Sequence, residues 1–400
     1  MGKKRRIIFL LIILNLFTLS GCWDIREINE LGLVTAVGID KADSPNKYSV
    51  TVQIANPNTS SSSDGQSNAK SELWIGTEEG TSIFEAVRKL ANVSSRRVMW
   101  AHNTVVIIGE SLAKEGIIPV ADYFAHNPEL RMKAAVVVAY GDAKEYVAAK
   151  VGMESPPGIS FILLESYRSL SAESTESHML QVCAALKNEY ANPLISKISL
   201  KKEAMQAENS KSTDEKNSET VALSGAAVFK KDKMIGWLSP EEVRGASWIL
   251  NQTKNTVVTV IDPEHGNKSV SVETKGMKAK IRTKVTDGMP EISISMSGTG
   301  DIVEEDGSTT QSMNEMKEHV TELINKKIED EIGNSLEIMQ KKYMVDCFGF
   351  AAFVHVQNAR EWNNGLKDNW QEIFAQIPVT VSVSISIESS TLSQEPMKIF

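Results

Sequence analysis

The residue with the clearest chemistry in this sequence is Cys22, which lies directly behind a basic and apolar leader. Four basic residues open the leader, an unbroken apolar run covers 7–14, and the small residues Ser20 and Gly21 follow Leu19. This order is typical of a secretory signal that is cleaved before a cysteine. Cleavage after Gly21 would expose the Cys22 thiol at a new N-terminus, where it can carry diacylglycerol through a thioether, with acyl lipid such as palmitate. Because two acyl chains hold a protein stably at a bilayer, we predict a lipid anchor at Cys22.

The leader could instead be a membrane-spanning helix, and its length decides between the two interpretations. Its apolar segment covers 7–19 and is interrupted by Asn15 and Thr18. A spanning helix needs about 20 consecutive apolar residues. The sequence therefore favours a cleaved lipoprotein signal peptide over 1–21, and no later segment is long and apolar enough to span a bilayer.

The charge of the chain argues against a nucleic-acid partner. The full sequence has 43 basic and 51 acidic residues, which give a formal net charge of −8 at pH 7. Loss of the leader with its four basic residues makes that charge −12. Nucleic-acid binding needs a concentrated basic surface, which an acidic chain lacks as a whole.

The apolar periodicity predicts an α+β fold with three soluble lobes, in which helices pack on one face of mixed or antiparallel sheets. The 400 residues exceed what one hydrophobic core usually serves. The predicted domains are an N-terminal α+β domain over 22–150, a middle α+β domain over 151–250 and a C-terminal α+β domain over 251–392. Polar tracts at 57–71 and 201–219 are predicted to be a loop and a linker.

The C-terminal domain has the most regular pattern. Short alternating strands are predicted at 256–261, 269–273, 278–285 and 291–296. A long helix with an apolar stripe over 316–339 follows, and Ser312 and Glu315 have capping-box spacing at its start. An alternating strand over 379–387 is predicted to close the domain.

Two features are candidates for surface contacts. Four cations alternate along the third of these predicted strands and therefore lie on one side of it: Lys278, Lys280, Arg282 and Lys284. They could protect a solvated strand or contact anionic lipid headgroups or an acidic partner. Trp23 could rest in the headgroup layer beside the lipid, or it could pack on the first domain.

The motifs of the chain argue against enzyme chemistry. The sequence has no nucleophile elbow, zinc-helix motif or phosphate-binding loop, and its six histidines are scattered. Acidic residues at 301–306 are typical of a solvated turn. Cys183 and Cys347 have no metal-ligand spacing and are expected to be buried thiols, with a disulfide between them left open. We therefore predict no enzyme activity, no metal and no cofactor besides the covalent lipid on Cys22.

Five short motifs, in a fixed order along the chain, carry a family resemblance. They are 21–24 with 27–28, 38–40, 225–230 with 236–238, 346–350, and a tail with Trp362 and Trp370 before the last strand. Together they resemble the Ger(x)C family of spore-germination lipoproteins over essentially the whole chain after the leader. Cys347 departs from the family pattern, which usually has a branched or aromatic apolar residue there.

The resemblance implies a non-enzymatic C subunit of a nutrient-germinant receptor, held by lipid on the outer face of the inner spore membrane. Its expected partners are an A subunit with membrane-spanning segments and a B subunit similar to amino-acid transporters. The family is also divided into an N-terminal module, here 22–200, and a C-terminal module, here 220–392.

Two other classes of function are left open by the residues alone. A solute-binding lipoprotein of a transporter would have two similar α/β lobes with a cleft between them. A lipid-anchored hydrolase would need a catalytic motif. The regular C-terminal pattern fits the first class poorly, and the absence of motifs disfavours the second.

Overall fold

Two β-sheets organise the computed structural model, which describes Gly2 and residues 30–55, 73–149, 157–202, 219–264, 266–306 and 313–390. The first sheet contains β1 Leu31–Lys41, β2 Tyr48–Ala55, β3 Leu73–Gly80, β4 Arg97–Met99, β5 Val105–Ile108, β6 Ala135–Ala139, β7 Leu194–Lys202, β8 Glu219–Lys230 and β9 Lys233–Leu238. The second contains β10 Thr256–Asp262, β11 Lys268–Thr286, β12 Met289–Glu305 and β13 Val379–Ser390. The strand order is β3-β2-β1-β5-β6-β7-β8-β9 in the first sheet, with β4 beside β1, and β10-β11-β12-β13 in the second.

Helices connect and cover the strands, and together with the sheets they confirm the α+β class. They are α1 Ile83–Val93, α2 Glu110–Glu115, α3 Ile118–His126, α4 Ala143–Ala148, α5 Pro157–Ser171, α6 Met179–Lys187, α7 Pro240–Ile249, α8 Met313–Glu337, α9 Phe350–Gln357, α10 Ala359–Asn363 and α11 Trp370–Phe374. A π-helical turn at Ile338–Tyr343 continues α8. In the part of the chain that the structure describes, no helix has the length and apolarity to cross a bilayer.

The first sheet is covered on both faces. Its central strands β5 and β6 pair in parallel, and all four residues of β5 are buried. Val106 and Val136 belong to a core with α1, α2, α3 and α6, whereas Val105 and Val137 belong to a core with α4 and α5. The sequence predicted helices on one face. Here they cover both, because the central strands carry apolar side chains on both sides, as parallel strands usually do.

The same sheet joins segments from both sides of Lys150, the predicted boundary between the first two domains. β6 pairs in parallel with β7, which places Val137 beside Ser196. β7 then pairs antiparallel with β8, and the tract between them lies outside the described residues. The predicted domains 22–150 and 151–250 thus contribute strands to one sheet.

The second sheet has helices on one face, as predicted. Residues on β10, β11 and β12 alternate between buried and exposed, and the buried ones pack against α8. The predicted stripe on α8 is buried at Val320, Ile324 and Ile328. Ser312 lies outside the described residues.

One long strand, β11, replaces two of the predicted short strands. Its pairing with β12 shifts register between Lys275 and Lys278, and Gly276 has a φ of 60°. The bulge lets the chain continue in the same direction where the sequence suggested a turn, because a glycine with positive φ fits either. β13 runs parallel to β12.

The helix α7 packs on α8 and begins with a capping box formed by Ser239 and Glu242. The backbone N–H of Glu242 donates to Ser239 Oγ at 3.3 Å, and that of Ser239 donates to Glu242 Oε2 at 2.7 Å. Gly245 lies so close to α8 that a Cβ there would overlap the Glu331 carbonyl oxygen. Trp248 Nε1 donates to the buried Glu331 carboxylate at 3.1 Å. Apolar residues from β8, β9 and the second sheet share the core around α7, so the two sheets are packed together.

Candidate functional site

The predicted lipid anchor lies outside the described residues. This applies to Cys22, to Leu19, Ser20 and Gly21 before it, and to Trp23 after it. The anchor and the role of Trp23 therefore stay predictions. The candidate contact surface that the structure does describe is on the second sheet.

Four cations lie on the uncovered face of the second sheet. The exposed residues at alternate positions of β11 are Lys278, Lys280, Arg282 and Lys284. Between them, Met277, Ala279 and Ile281 are buried in the core. None of the four cations forms an ion pair with another described residue. The four side chains lie on one face of β11, as the alternation of the sequence predicted. Which partner they contact stays a prediction.

Two columns of small hydroxyl side chains lie beside the cations. They are the exposed residues Ser293, Ser295 and Ser297 on β12, and Thr380, Ser382 and Ser384 on β13. Ser382 Oγ donates to Ser295 Oγ at 3.4 Å, which joins the two columns. Glu291 lies opposite Lys284 at the hairpin end of the surface. We call these six hydroxyl residues and the four cations the basic face.

Sequence analysis missed the hydroxyl columns of the basic face. Serine alternates with Ile292 and Ile294 on one strand and with Val383 and Ile385 on the other, so the pattern was visible. What it could not show was that β13 pairs with β12 and aligns the two series.

Side-chain amides close the β11 edge of the basic face, where β10 no longer pairs. Ala279 N–H donates to Asn251 Oδ1 at 2.7 Å, and Asn251 Nδ2 donates to the Ala279 carbonyl at 3.1 Å. Gln357 Nε2 donates to the Ile281 carbonyl at 3.1 Å and Thr283 N–H donates to Gln357 Oε1 at 2.8 Å. Two side chains thus take hydrogen bonds that a neighbouring strand would otherwise form.

The β13 edge is closed in the same manner by α8. Val383 N–H donates to Glu329 Oε1 at 3.0 Å, and Ile385 N–H donates to Asn325 Oδ1 at 2.9 Å. The basic face is therefore accessible from its front, while these edge positions are already hydrogen-bonded.

Asp346, an acid of one family motif, is a buried helix cap. Backbone N–H groups of Phe348, Phe350 and Ala351 donate to its carboxylate at 3.1, 3.1 and 2.8 Å. Trp370 Nε1 donates to it at 3.2 Å. Burial raises the pKa of the Asp346 carboxyl, and the three backbone donors oppose that rise. Its oxygens are used to begin α9 and to hold the tail tryptophan.

Asp40, an acid of another motif, does the same for α4. The N–H groups of Ala143 and Lys144 donate to its carboxylate at 2.6 and 2.9 Å. Burial raises the pKa of Asp40, against the effect of these two donors. Gly38 permits the contact, since a Cβ there would lie 2.8 Å from a Val147 methyl.

Two glycines of the third motif also serve packing. Gly225 has a φ of 90°, and a Cβ on it would lie 2.6 Å from the Leu238 carbonyl oxygen. A Cβ on Gly236 would meet the ring of Tyr343, whose hydroxyl donates to the Trp237 carbonyl at 2.8 Å. The motif residues Gly38, Asp40, Gly225, Gly236 and Asp346 therefore maintain the fold.

A polar cluster lies where α5 and α6 meet the chain that leads to the second sheet. His178 Nε2 lies 3.4 Å from both the Glu165 and Glu176 carboxylates. Arg168 pairs with Glu176 at 2.5 Å, and Gln252 Oε1 accepts from the Glu176 N–H at 2.9 Å. The hydrogen bond with Glu176 raises the pKa of His178, although partial burial opposes the shift. Burial raises the pKa of Glu165.

A cavity of about 810 Å³ lies beside the first sheet, between α1, β4 and α3. Phe84, Trp100 and Tyr123 contribute aromatic surface, and Arg88 and Arg97 contribute cations. Phe84 is about half exposed (52%), and the Arg88 guanidinium lies 4.8 Å above its ring. This cavity is not a cleft between two similar lobes, which a solute-binding lipoprotein would require.

Among the described residues, no side chains are arranged as a metal site, and no two cysteines form a disulfide. No group of three or more His, Cys, Asp or Glu side chains there is placed to hold a metal ion. In the acidic tract, Asp301 pairs with Lys275 at 2.5 Å. Cys183 and Cys347 are free and buried, and burial raises the pKa of both thiols.

Two family models match consecutive segments of the chain. The model described as spore germination protein N-terminal domain matches residues 24–200. The model described as spore germination B3/GerAC like, C-terminal, matches residues 224–391.

Known relatives are similar over nearly the full length. Spore germination protein KC of Bacillus subtilis (strain 168) is 27% identical, with 99% of this chain and 98% of the relative covered. Spore germination protein B3 of the same organism is 24% identical, with 95% and 96% covered. The crystal structure of the GerBC protein aligns with a TM-score of 0.55 at 19% identity, over 88% of this chain and 96% of that one. At that identity the structural likeness shows the fold alone.

Proposed function

The chain belongs to the GerAC-like family of spore germination proteins, and from this we propose that it is the lipid-anchored C subunit of a nutrient-germinant receptor. In this role it is held by the lipid on Cys22 at the outer face of the inner spore membrane. It assembles there with an A subunit that spans the membrane and a transporter-like B subunit. The observation that carries the proposal is the match of both family segments, in order, and the sequence before them has the pattern that predicts a lipoprotein leader.

The proposed role is non-enzymatic, and the positions of the motif acids support this. Asp40 and Asp346 are the carboxylates of the family motifs, and both are buried. Backbone N–H groups occupy both carboxylates as helix caps. A general acid or base must instead reach a substrate within hydrogen-bond distance, which neither residue can do while it caps a helix.

The test is purification of the native lipoprotein from detergent-solubilised spore membranes, followed by identification of the proteins that accompany it. We expect one multi-span protein and one transporter-like protein. Recovery with components of an ATP-driven permease would favour the solute-binding alternative. Recovery of the lipoprotein without any membrane partner would contradict the receptor role.

The anchor is tested separately by Cys22→Ala. Without the thiol no lipid can be attached, so we expect unprocessed precursor on a gel and a weakened response of spores to nutrients. Cys183→Ala is the matched control, because it removes a buried thiol far from the leader and should leave processing unchanged. Normal maturation and response of the Cys22 variant would contradict the anchoring role.

A further inference from the structure

The basic face combines positive charge with hydrogen-bond donors on a chain that is acidic overall. The chain has a formal net charge of −8, yet the four cations of the face have no ion-pair partner among the described residues. Beside them lie six hydroxyl groups, and the Glu291 carboxylate lies at one end. Ammonium, guanidinium and hydroxyl groups are all donors to phosphate oxygens.

The shape of the basic face suits a flat anionic surface. Four alternate residues on one strand span about 20 Å, and three neighbouring strands span about 10 Å across. In the strand segments 278–284, 291–297 and 380–386, every exposed side chain is polar. Protein interfaces usually depend on buried aromatic or large apolar anchors at their centre, which this face does not offer.

From these observations we propose that the basic face docks on the phosphate-bearing headgroups of anionic phospholipids. The hydrogen-bonded edges at Asn251, Gln357, Asn325 and Glu329 leave the front of the sheet as the contact surface. The basic face, whose side chains are all polar, lies on the headgroups without inserting apolar side chains into the bilayer.

The inference rests on the proposed anchoring at a membrane. A lipid on Cys22 makes headgroup contact intramolecular, so that even weak attraction sets the orientation of the protein. The second sheet then faces the bilayer, and the cavity between α1 and α3 belongs to the other sheet.

The experiment measures co-sedimentation of the full mature chain, with Cys22→Ser to prevent lipidation, on two kinds of vesicle. One kind is pure phosphatidylcholine and the other contains equal parts phosphatidylcholine and phosphatidylglycerol. We expect binding to the anionic vesicles alone, and its loss as salt rises from 50 to 500 mM, because salt screens exposed charges. Each cation near an anionic surface contributes about fivefold, so Lys280→Glu with Arg282→Glu should weaken binding by about 30-fold or more.

The matched control is Lys187→Glu with Lys326→Glu, which changes the net charge equally at exposed positions away from the face. It should bind within about threefold of the parent, since screening limits charge effects to about a Debye length. Equal loss in both double variants would overturn the proposal, because it would show a net-charge effect.

Two further results would also overturn the proposal. One is the absence of binding to anionic vesicles at 50 mM salt. The other is loss of co-purifying proteins in the Lys280 and Arg282 variant with unchanged vesicle binding, which would assign the face to an acidic protein partner. Thermal melting checks that the variants are folded. Vesicle binding requires no receptor, so its failure is distinguishable from a failed purification of the receptor complex.

Discussion

The two sheets of this chain differ in how many faces are covered. Helices cover the first sheet on both sides, and its central strands are apolar throughout. The second sheet is covered by α8 and its neighbours on one side, and its other side carries the basic face on β11, β12 and β13. The side chains on a sheet face that no helix covers contact solvent or a partner. The second sheet is therefore the one that carries the proposed contact surface, and its buried face depends on a single layer of helices.

The largest expected effect comes from removing the helix-capping carboxylate in each of the two regions. Asp346→Ala removes the acceptor from three backbone N–H groups and an indole N–H in the single cover of the second sheet. We expect a loss of about 3–5 kcal/mol in the free energy of unfolding, because buried donors are left unsatisfied. Asp40→Ala removes the acceptor of two backbone N–H groups at the start of α4, a helix in one of the two layers that cover the first sheet. This change should lower the free energy of unfolding by about 1–2 kcal/mol. Urea unfolding of the full mature chain measures both.

The exposed carboxylate Asp43, close to Asp40 in sequence, provides the control for this comparison. Its replacement by alanine should change stability by less than about 0.5 kcal/mol, as for most surface substitutions. Equal losses for Asp346→Ala and Asp40→Ala would mean that neither the number of unsatisfied donors nor the number of covered faces decides the cost.

A smaller effect tests the packing of α7 on α8, the long helix that covers the second sheet. In Gly245→Ala the new methyl group would overlap the carbonyl oxygen of Glu331 and the hydroxyl of Ser335. Overpacking of this kind costs about 1–3 kcal/mol, which should appear as a lower melting temperature. Gly333→Ala is the matched control on α8, because nothing lies within 4 Å of its Cβ. There the alanine should stabilise the helix by about 0.5–1 kcal/mol, and destabilisation by both variants would argue against a specific contact.

The smallest expected effect concerns pH at the polar cluster where the two regions meet. The pKa of His178 is raised above the ordinary value of 6.5, chiefly by Glu176. A raised histidine pKa gives stability that is complete below about pH 6.5 and is lost as pH rises through the folded-state pKa. For this half-buried group we expect a decline of up to about 1 kcal/mol in the unfolding free energy.

Unfolding measured at pH 6 and pH 8 tests that decline, and His178→Gln should remove it. His126→Gln, at an exposed end of α3, should leave it unchanged. A decline that persists without the His178 imidazole would assign the pH dependence to another group.

Local sequence patterns predicted much of the fold. They could not predict which strands pair when those strands are distant in sequence. The alternation at 379–387 and the stripe on α8 are local, and both appear in the structure. The parallel pairing of β6 with β7 is between distant segments, so no local pattern shows that strands across Lys150 share a sheet. Likewise a glycine at 276 is compatible with a turn or a bulge, and only the pairing of β11 with β12 decides.

The candidate surface was likewise predicted from the sequence only in part. Alternation alone identified Lys278, Lys280, Arg282 and Lys284 as neighbours on one face. The hydroxyl columns needed the register between β12 and β13. The motif acids Asp40 and Asp346 were visible as residues. The backbone donors to Asp40 and the Trp370 indole that donates to Asp346 come from distant segments, which only the folded chain brings to them.

The amide and carboxylate groups that hydrogen-bond to β11 and β13 have a consequence for crowding. Chains held side by side at a membrane meet their copies at high local density, and an open strand edge would serve as a template for fibre growth. Asn251 and Gln357 occupy one such edge, and Asn325 and Glu329 occupy the other. Each copy therefore ends its own sheet at these positions, so that under the proposed lipid anchoring neighbouring copies would not polymerise through them.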